Sequence, residues 1–79
     1  MVRVLHLGNY GVYVLCERGE RHHRPHAHIK FRGLRIASVF LDTLDVYDEV
    51  EPVPPLLLGE IAEQQEALLG VWEELNGDD

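Results

Sequence analysis

The sequence predicts a single α+β domain spanning residues 1–79, in which a four-stranded, mainly antiparallel β-meander packs against one long C-terminal α-helix. Three observations predict this class. Short apolar runs rich in valine, isoleucine and tyrosine fill the first half of the chain, and glycine- or proline-containing turn signals separate them. Helical periodicity begins only after the prolines at positions 52, 54 and 55.

The strands follow from these runs and from the turns between them. Gly8-Asn9 predicts a turn after the first strand, and Gly33-Leu34 predicts a tight turn that closes a hairpin between the third and fourth strands. The fourth run is apolar on both faces, which indicates a central strand. The predicted strands lie at about 2–7, 10–16, 26–32 and 35–42.

The third strand has the clearest alternation in the sequence. Period two places Ala27, Ile29 and Phe31 on one face, which is assigned to the core. The other face is entirely cationic or ionisable, which makes it the candidate working surface. That face comprises His26, His28, Lys30 and Arg32.

A helix is predicted over about 55–76 because proline is tolerated in a first helical turn and a mainly apolar stripe at helical spacings of three and four follows it. Trp72, within this stripe, is assigned to the core rather than to a binding site. The stripe consists of Ile61, Gln65, Leu68, Trp72 and Leu75.

Charge is divided sharply along the chain. Residues 1–35 carry all seven Arg and Lys against two acids, and residues 36–79 carry twelve acids and no base, which gives +5 and −12. The overall acidity counts against nonspecific nucleic-acid binding, although the segment 18–35 escapes this objection because it holds six of the seven bases.

Composition also bears on the compartment. Cys16 is the only cysteine, so the chain has no intrachain disulfide and no cysteine-based zinc site, and a buried thiol in a reducing compartment is predicted. No apolar run approaches the length of a membrane span or a signal peptide. The sequence therefore predicts a soluble cytoplasmic protein without a membrane partner.

The favoured interpretation of the basic segment is a surface that docks an acidic partner, either a cognate small protein or the acidic helix of a second copy in a homodimer. An alternative is RNA or phosphate binding, with Phe31 or Tyr10 stacking on bases and with His26 or His28 as a general acid or base in ribonuclease chemistry. The predicted partner- or phosphate-binding residues are His22, Arg24, His26, His28, Lys30, Arg32 and Arg35.

Two further interpretations stay open. His22, His26 and His28 have a spacing suited to a divalent metal ion such as zinc, although the surrounding arginines would repel it. In the other interpretation, the basic face binds no ligand and is a solvated surface whose charge Asp48, Glu49 and Glu51 neutralise. His6, alone in an apolar run, is assigned a structural role in the core or at a sheet edge.

The run from His22 to His28, together with the segment 66–72 that ends in Trp72, resembles the signature of a small bacterial family, domain of unknown function 4160. Arg21 and Arg24 depart from that pattern, since an acid and a proline are common there. The resemblance covers nearly the whole chain and implies one member of a toxin–antitoxin-type gene pair. It implies no established activity, so the predicted function is an interaction module.

Overall fold

The computed structural model describes residues 2–14 and 24–76, which form an antiparallel five-stranded sheet followed by two helices. The α+β class and the antiparallel meander are therefore confirmed, whereas the numbers of strands and helices differ from the prediction. The strands are β1 (Val2–Leu7), β2 (Tyr10–Val14), β3 (His26–Phe31), β4 (Leu34–Phe40) and β5 (Val46–Tyr47). The helices are α1 (Pro55–Glu63) and α2 (Gln65–Asn76).

The strands lie in sequence order, and every neighbouring pair is antiparallel. The β1–β2 and β3–β4 loops consequently meet at one end of the sheet. The backbone N–H of Arg32 donates a 2.9 Å hydrogen bond to the carbonyl oxygen of Asn9 and ties the two loops together. Gly8 supplies the positive φ of 61° that the first of these two-residue loops requires.

The β3–β4 turn lies one residue earlier than predicted. Its central residues are Arg32 and Gly33, with φ of 54° and 84°, and Phe31 pairs directly with Leu34. A two-residue hairpin loop matches the twist of its strands when both central residues have positive φ, which places the turn here. The third strand therefore ends at Phe31, and Arg32 belongs to the turn and not to the strand face.

One side of the sheet forms the core. Ala27 and Ile29 are fully buried, as their alternation predicts, whereas Phe31 is half-buried and packs at the margin. Trp72 also lies in this core, in agreement with its place in the helical stripe. The core of the described residues comprises Val12, Val14, Ala27, Ile29, Ile36, Ala37, Val39, Leu41, Val53, Leu57, Ile61, Leu68 and Trp72.

The fifth strand was not predicted. The fourth strand ends at Phe40. The Phe40 N–H donates a 2.8 Å hydrogen bond to the Asp45 carbonyl, and the Phe40 carbonyl accepts a 2.7 Å hydrogen bond from the Leu44 N–H. Leu44 takes a positive φ of 67° in this reversal. The turn brings β5 back beside β4, where its two residues pair with Ser38 and Val39.

The single long helix is likewise corrected to two. Gln64 leaves the helical region, with φ −100° and ψ 15°, and its N–H bonds the carbonyls of both Glu60 and Ile61. The Gln65 amide Nε2 donates to the carbonyls of Leu41 (2.8 Å) and Asp42 (3.2 Å), which anchors the start of α2 on the turn after β4. This anchoring accounts for the break without a proline or glycine at the junction.

Candidate functional site

The outer face of the sheet, opposite the core, is ordered in rows by the strand register. Tyr13, His28, Ser38 and Tyr47 are partners in turn across β2 to β5, and we call this set the aromatic row. The next row toward the two hairpin loops runs across β1 to β4. It consists of His6, Gly11, Lys30 and Arg35, and we call it the basic row. The outer face is thus cationic at the loop end and aromatic farther along.

His26 lies at the opposite end of β3 from the loops and is buried. Its Nδ1 is 2.8 Å from the carbonyl oxygen of Arg24, and since a carbonyl only accepts, Nδ1 carries the proton in this bond. The His26 ring lies 5.0 Å from that of Trp72 and 5.5 Å from that of His28, centroid to centroid. The predicted exposed, cationic position is in fact packed against α2.

Arg24 is engaged within the chain. Its guanidinium forms a two-pronged contact with the Asp42 carboxylate at 2.9 and 3.2 Å and a 3.2 Å hydrogen bond to the Thr43 hydroxyl. The hydrogen bond from Arg24 lowers the pKa of Asp42, and the same bond raises the pKa of Arg24. Arg24 therefore serves to fix the turn after β4, and a partner would have to compete with Asp42 for it.

The rings proposed for base stacking are occupied. Tyr10 and Phe31 lie 4.6 Å apart, are half-buried and pack against the core cluster. Phe40 stacks on Tyr47 at 4.2 Å, and the Arg24 guanidinium lies 3.7 Å from the Phe40 centroid. The Tyr47 ring and the Arg24 guanidinium each lie too close to the Phe40 ring to share one side of it, so both faces of the Phe40 ring are covered.

The loop end of the sheet exposes the remaining arginines of the prediction. Arg32 and Arg35 are exposed, and the Arg35 Nη1 donates a 3.3 Å hydrogen bond to the Ser38 hydroxyl. No carboxylate among residues 2–14 and 24–76 forms an ion pair with either arginine. Leu34 lies between them in the chain, on the opposite face of β4 from Arg35, and 74% of its surface is exposed, the largest such value among the described large apolar residues.

The acids expected to neutralise this surface do not do so within the described chain. Glu49 accepts a 3.2 Å hydrogen bond from the backbone N–H of Val53 through Oε2. Asp48, Glu49 and Glu51 are exposed, and none of them forms an ion pair with the described arginines.

The predicted metal site is only partly visible. His22 lies outside the described residues, as does Cys16. Among residues 2–14 and 24–76, no three His, Cys, Asp or Glu side chains lie close enough together to hold a metal ion. Metal binding by His22, His26 and His28 therefore stays a prediction.

Sequence reasoning missed a pocket of about 210 Å³ between the two hairpin loops. His6, assigned to the core or to a sheet edge, lies exposed on the edge strand β1 and lines this pocket with Arg3 and Lys30. The available signal was the predicted β1–β2 hairpin, which places His6 opposite the glycine at position 11. The described lining residues are Arg3, His6, Gly8, Asn9, Tyr10, Gly11, Tyr13, Lys30 and Gly33.

Fold and site together define a small α+β protein whose sheet presents a basic loop end. The sequence matches no protein-family model, and no curated protein or solved structure matches it. The resemblance to domain of unknown function 4160 therefore stays a prediction. Among the described residues, neither helix combines the length and apolar character needed to cross a membrane.

Proposed function

We propose that this protein binds an acidic partner protein through the loop end of its sheet, at Arg32, Leu34 and Arg35. The observation that carries the proposal is Leu34, 74% exposed at the start of β4, with the exposed Arg32 two residues before it and the exposed Arg35 one residue after it in the chain. An apolar side chain bordered by arginine is typical of a protein interface, in which the apolar group is buried and the charges form the rim. A nucleic-acid backbone would gain little from this leucine.

The backbone at Arg32 supports the same proposal. Arg32 has a φ of 54°, a region that asparagine and glycine enter far more readily than arginine. Strained residues concentrate at functional sites, where the side chain compensates for its conformational cost. The Arg32 guanidinium lies 5.2 Å from the centroid of the Phe31 ring, at the loop end of the sheet where the partner is proposed to bind.

Electrostatics favour an acidic partner. The chain carries a net charge of −7, so a protein of like charge is repelled by most of its surface. Exposed arginines without a described carboxylate partner give the loop end a local positive potential, which would orient an acidic protein toward it. We propose that the partner is the product of a neighbouring gene in a toxin–antitoxin-type pair, and that both act in the cytoplasm.

Catalysis and base stacking receive less support than binding. His26 is packed against Trp72, and its Nδ1 already bonds a backbone carbonyl, which favours a structural role for the first catalytic candidate. His28, the second candidate, is half-buried. Tyr10 and Phe31, the rings expected to stack on RNA bases, pack on each other.

The proposal is tested by co-expressing the protein with the product of the adjacent gene and measuring affinity by calorimetry. Leu34→Ser and Arg35→Glu should each weaken the complex about tenfold or more, because the first removes the buried apolar contact and the second reverses a rim charge that attracts the acidic partner. Leu56→Ser is the matched control, since Leu56 is also a highly exposed leucine (68%) but lies on α1. Unchanged affinity in Leu34→Ser and Arg35→Glu would contradict the proposal.

A second copy of the chain is the competing occupant, because the acidic side chains of α1 and α2 could also meet the arginines. Sedimentation of the protein alone distinguishes the two. A monomer at micromolar concentration supports a separate partner. A dimer that Arg35→Glu dissociates identifies the partner as a second copy.

A further inference from the structure

We propose that the pocket between the two hairpin loops is a binding site for a phosphate group, separate from the partner surface at Leu34. The pocket has a volume of about 210 Å³ and is lined by three basic or ionisable side chains, Arg3, His6 and Lys30. It lies on an exposed part of β1 and on the basic row, at the loop end of the outer face.

The sheet register builds this pocket. His6 pairs with Gly11, and Gly11 pairs with Lys30, so the two basic side chains flank a position that has no side chain. Arg3 pairs with Tyr13 in the adjacent row and lines the pocket from that side. Glycine at position 11 leaves room for the Tyr13 ring to lie over the sheet, and Arg3, His6 and Lys30 line the pocket beside that ring.

Tyr13 forms one wall. Its ring leans over Gly11, and a Cβ added to Gly11 would lie 2.8 Å from the Tyr13 Cε1. The Lys30 Nζ is 4.8 Å from the centroid of the same ring, within the range of a cation–π contact. This contact holds the ammonium at the pocket wall, so the cation is positioned before any ligand arrives.

The rim is formed by the hairpin loops and is sterically open. Gly8 and Gly33 have positive φ, and no atom lies within 4 Å of where a Cβ would stand at either residue. Arg32 N–H and Asn9 C=O bond across the gap and keep the two loops in place. A ligand can thus approach the basic row between two fixed loops without displacing a side chain at the rim.

The chemistry of the lining selects an anion. No carboxylate is among the described residues that line the pocket, in a protein with twice as many acids as bases. Guanidinium and ammonium groups form strong charge-assisted hydrogen bonds with phosphate, and a dianion gains more than a carboxylate from several cations at once. The volume far exceeds the roughly 10–15 Å³ that one water needs, so a tetrahedral phosphate fits.

The ligand class is a phosphate monoester, which has two sources: a free nucleotide or sugar phosphate, and the terminal phosphate of an RNA strand. Among the described lining residues, the Tyr13 ring already covers Gly11 and contacts Lys30, and the Tyr10 ring packs on Phe31. The exposed His6 imidazole is the remaining ring, so recognition rests mainly on the phosphate.

The test is an NMR titration of the full chain at low salt with inorganic phosphate, adenosine monophosphate, and a short oligoribonucleotide with either a 5′-phosphate or a 5′-hydroxyl. Saturable shifts should appear at the lining amides of Gly8, Asn9, Gly11 and Gly33. Stronger binding of the monophosphate identifies a small ligand, and stronger binding of the 5′-phosphorylated strand identifies an RNA end. No saturable shift with any phosphate, or equal binding of the 5′-hydroxyl and 5′-phosphate strands with no shift from the monophosphate, would overturn the proposal.

Variants locate the site. Arg3→Ala should weaken phosphate binding about tenfold, since it removes one charge-assisted hydrogen-bonding group. Arg32→Ala is the matched control because Arg32 is a nearby exposed arginine outside the pocket, and its effect should stay within about twofold. Equal losses in the two variants would show general charge attraction and refute the site. Leu34→Ser should leave phosphate binding intact, which separates this result from the test of partner binding.

Discussion

At the scale of single residues, two histidines of β3 share a strand face but have different surroundings. His26 is buried, bonds the Arg24 carbonyl through Nδ1 and packs on the ring of Trp72. His28 is half-buried in the aromatic row, beside Tyr13. The Arg24 carbonyl and the Trp72 ring thus hold His26 in place at the start of β3, which is the property of a structural residue.

His26→Ala should therefore destabilise the fold more than His28→Ala. Loss of a part-buried hydrogen bond and an aromatic contact should lower the free energy of unfolding by about 1–3 kcal/mol in His26→Ala. Urea denaturation followed by tryptophan fluorescence measures both variants and reports directly on Trp72. A loss of stability in His28→Ala as large as that in His26→Ala would show that the Trp72 contact is not the cause.

At the scale of elements, the β3–β4 hairpin contains a residue that is unfavourable for its turn. Arg32 and Gly33 both have positive φ, the requirement of a type I′ loop, for which Asn-Gly is the preferred sequence. Arg32→Asn should stabilise the protein by about 0.5–1 kcal/mol because asparagine enters this region at lower cost. Thermal or urea unfolding measures the gain.

The control for this prediction is Arg35→Asn, which makes the same change at a strand position and should give no gain. A loss of stability in Arg32→Asn would contradict the strain argument. The same variant should also weaken the proposed complex, since it removes the guanidinium at the hairpin tip. A gain in stability combined with a loss in binding is the pattern expected where a residue is retained for function.

Much of the fold follows from local patterns, and the departures have identifiable causes. The alternation of Ala27 and Ile29 predicts the buried face correctly because strand periodicity is a local property. β5 is two residues long and depends on the reversal at Leu44, so no run of sequence indicates it. The break between α1 and α2 depends on Gln65 bonding carbonyls 23 and 24 residues away, which periodicity does not encode.

In the candidate site, too, some features follow from local sequence patterns and others depend on long-range contacts. Lys30 and Arg35 lie in one row of the outer face, and their role as binding residues stays a prediction. The engagement of Arg24 with Asp42 and of His26 with Trp72 depends on contacts made only when the chain is folded. The pocket was missed for a related reason: the Tyr13 ring forms its wall by lying over Gly11, and this contact exists only in the folded chain.

At the scale of the whole molecule, the charge partition of the chain is only partly kept in space, because Arg24 pairs with Asp42 and the N–H groups of Val50 and Glu51 bond the Ile36 carbonyl, next to Arg35. The described residues extend over 35 × 22 × 20 Å, and the Debye length at physiological ionic strength is about 8 Å. At that salt each charge therefore acts mainly on its near surroundings, and neither Arg32 nor Arg35 forms an ion pair with a described carboxylate. A molecule with a net charge of −7 can thus attract an anionic partner at one end.

Attraction of an acidic partner by Arg32 and Arg35 predicts a particular salt dependence for the proposed complex. Raising the ionic strength from about 0.02 to 0.3 M should lower the association rate constant about tenfold or more and change the dissociation rate little, because rim charges act mainly during encounter. Stopped-flow fluorescence at several salt concentrations measures both rates. Arg35→Glu should flatten the dependence, whereas Leu34→Ser should speed dissociation and leave the salt slope unchanged. A complex whose dissociation carried the salt dependence would instead place the arginines in its buried centre, and the leucine at its rim.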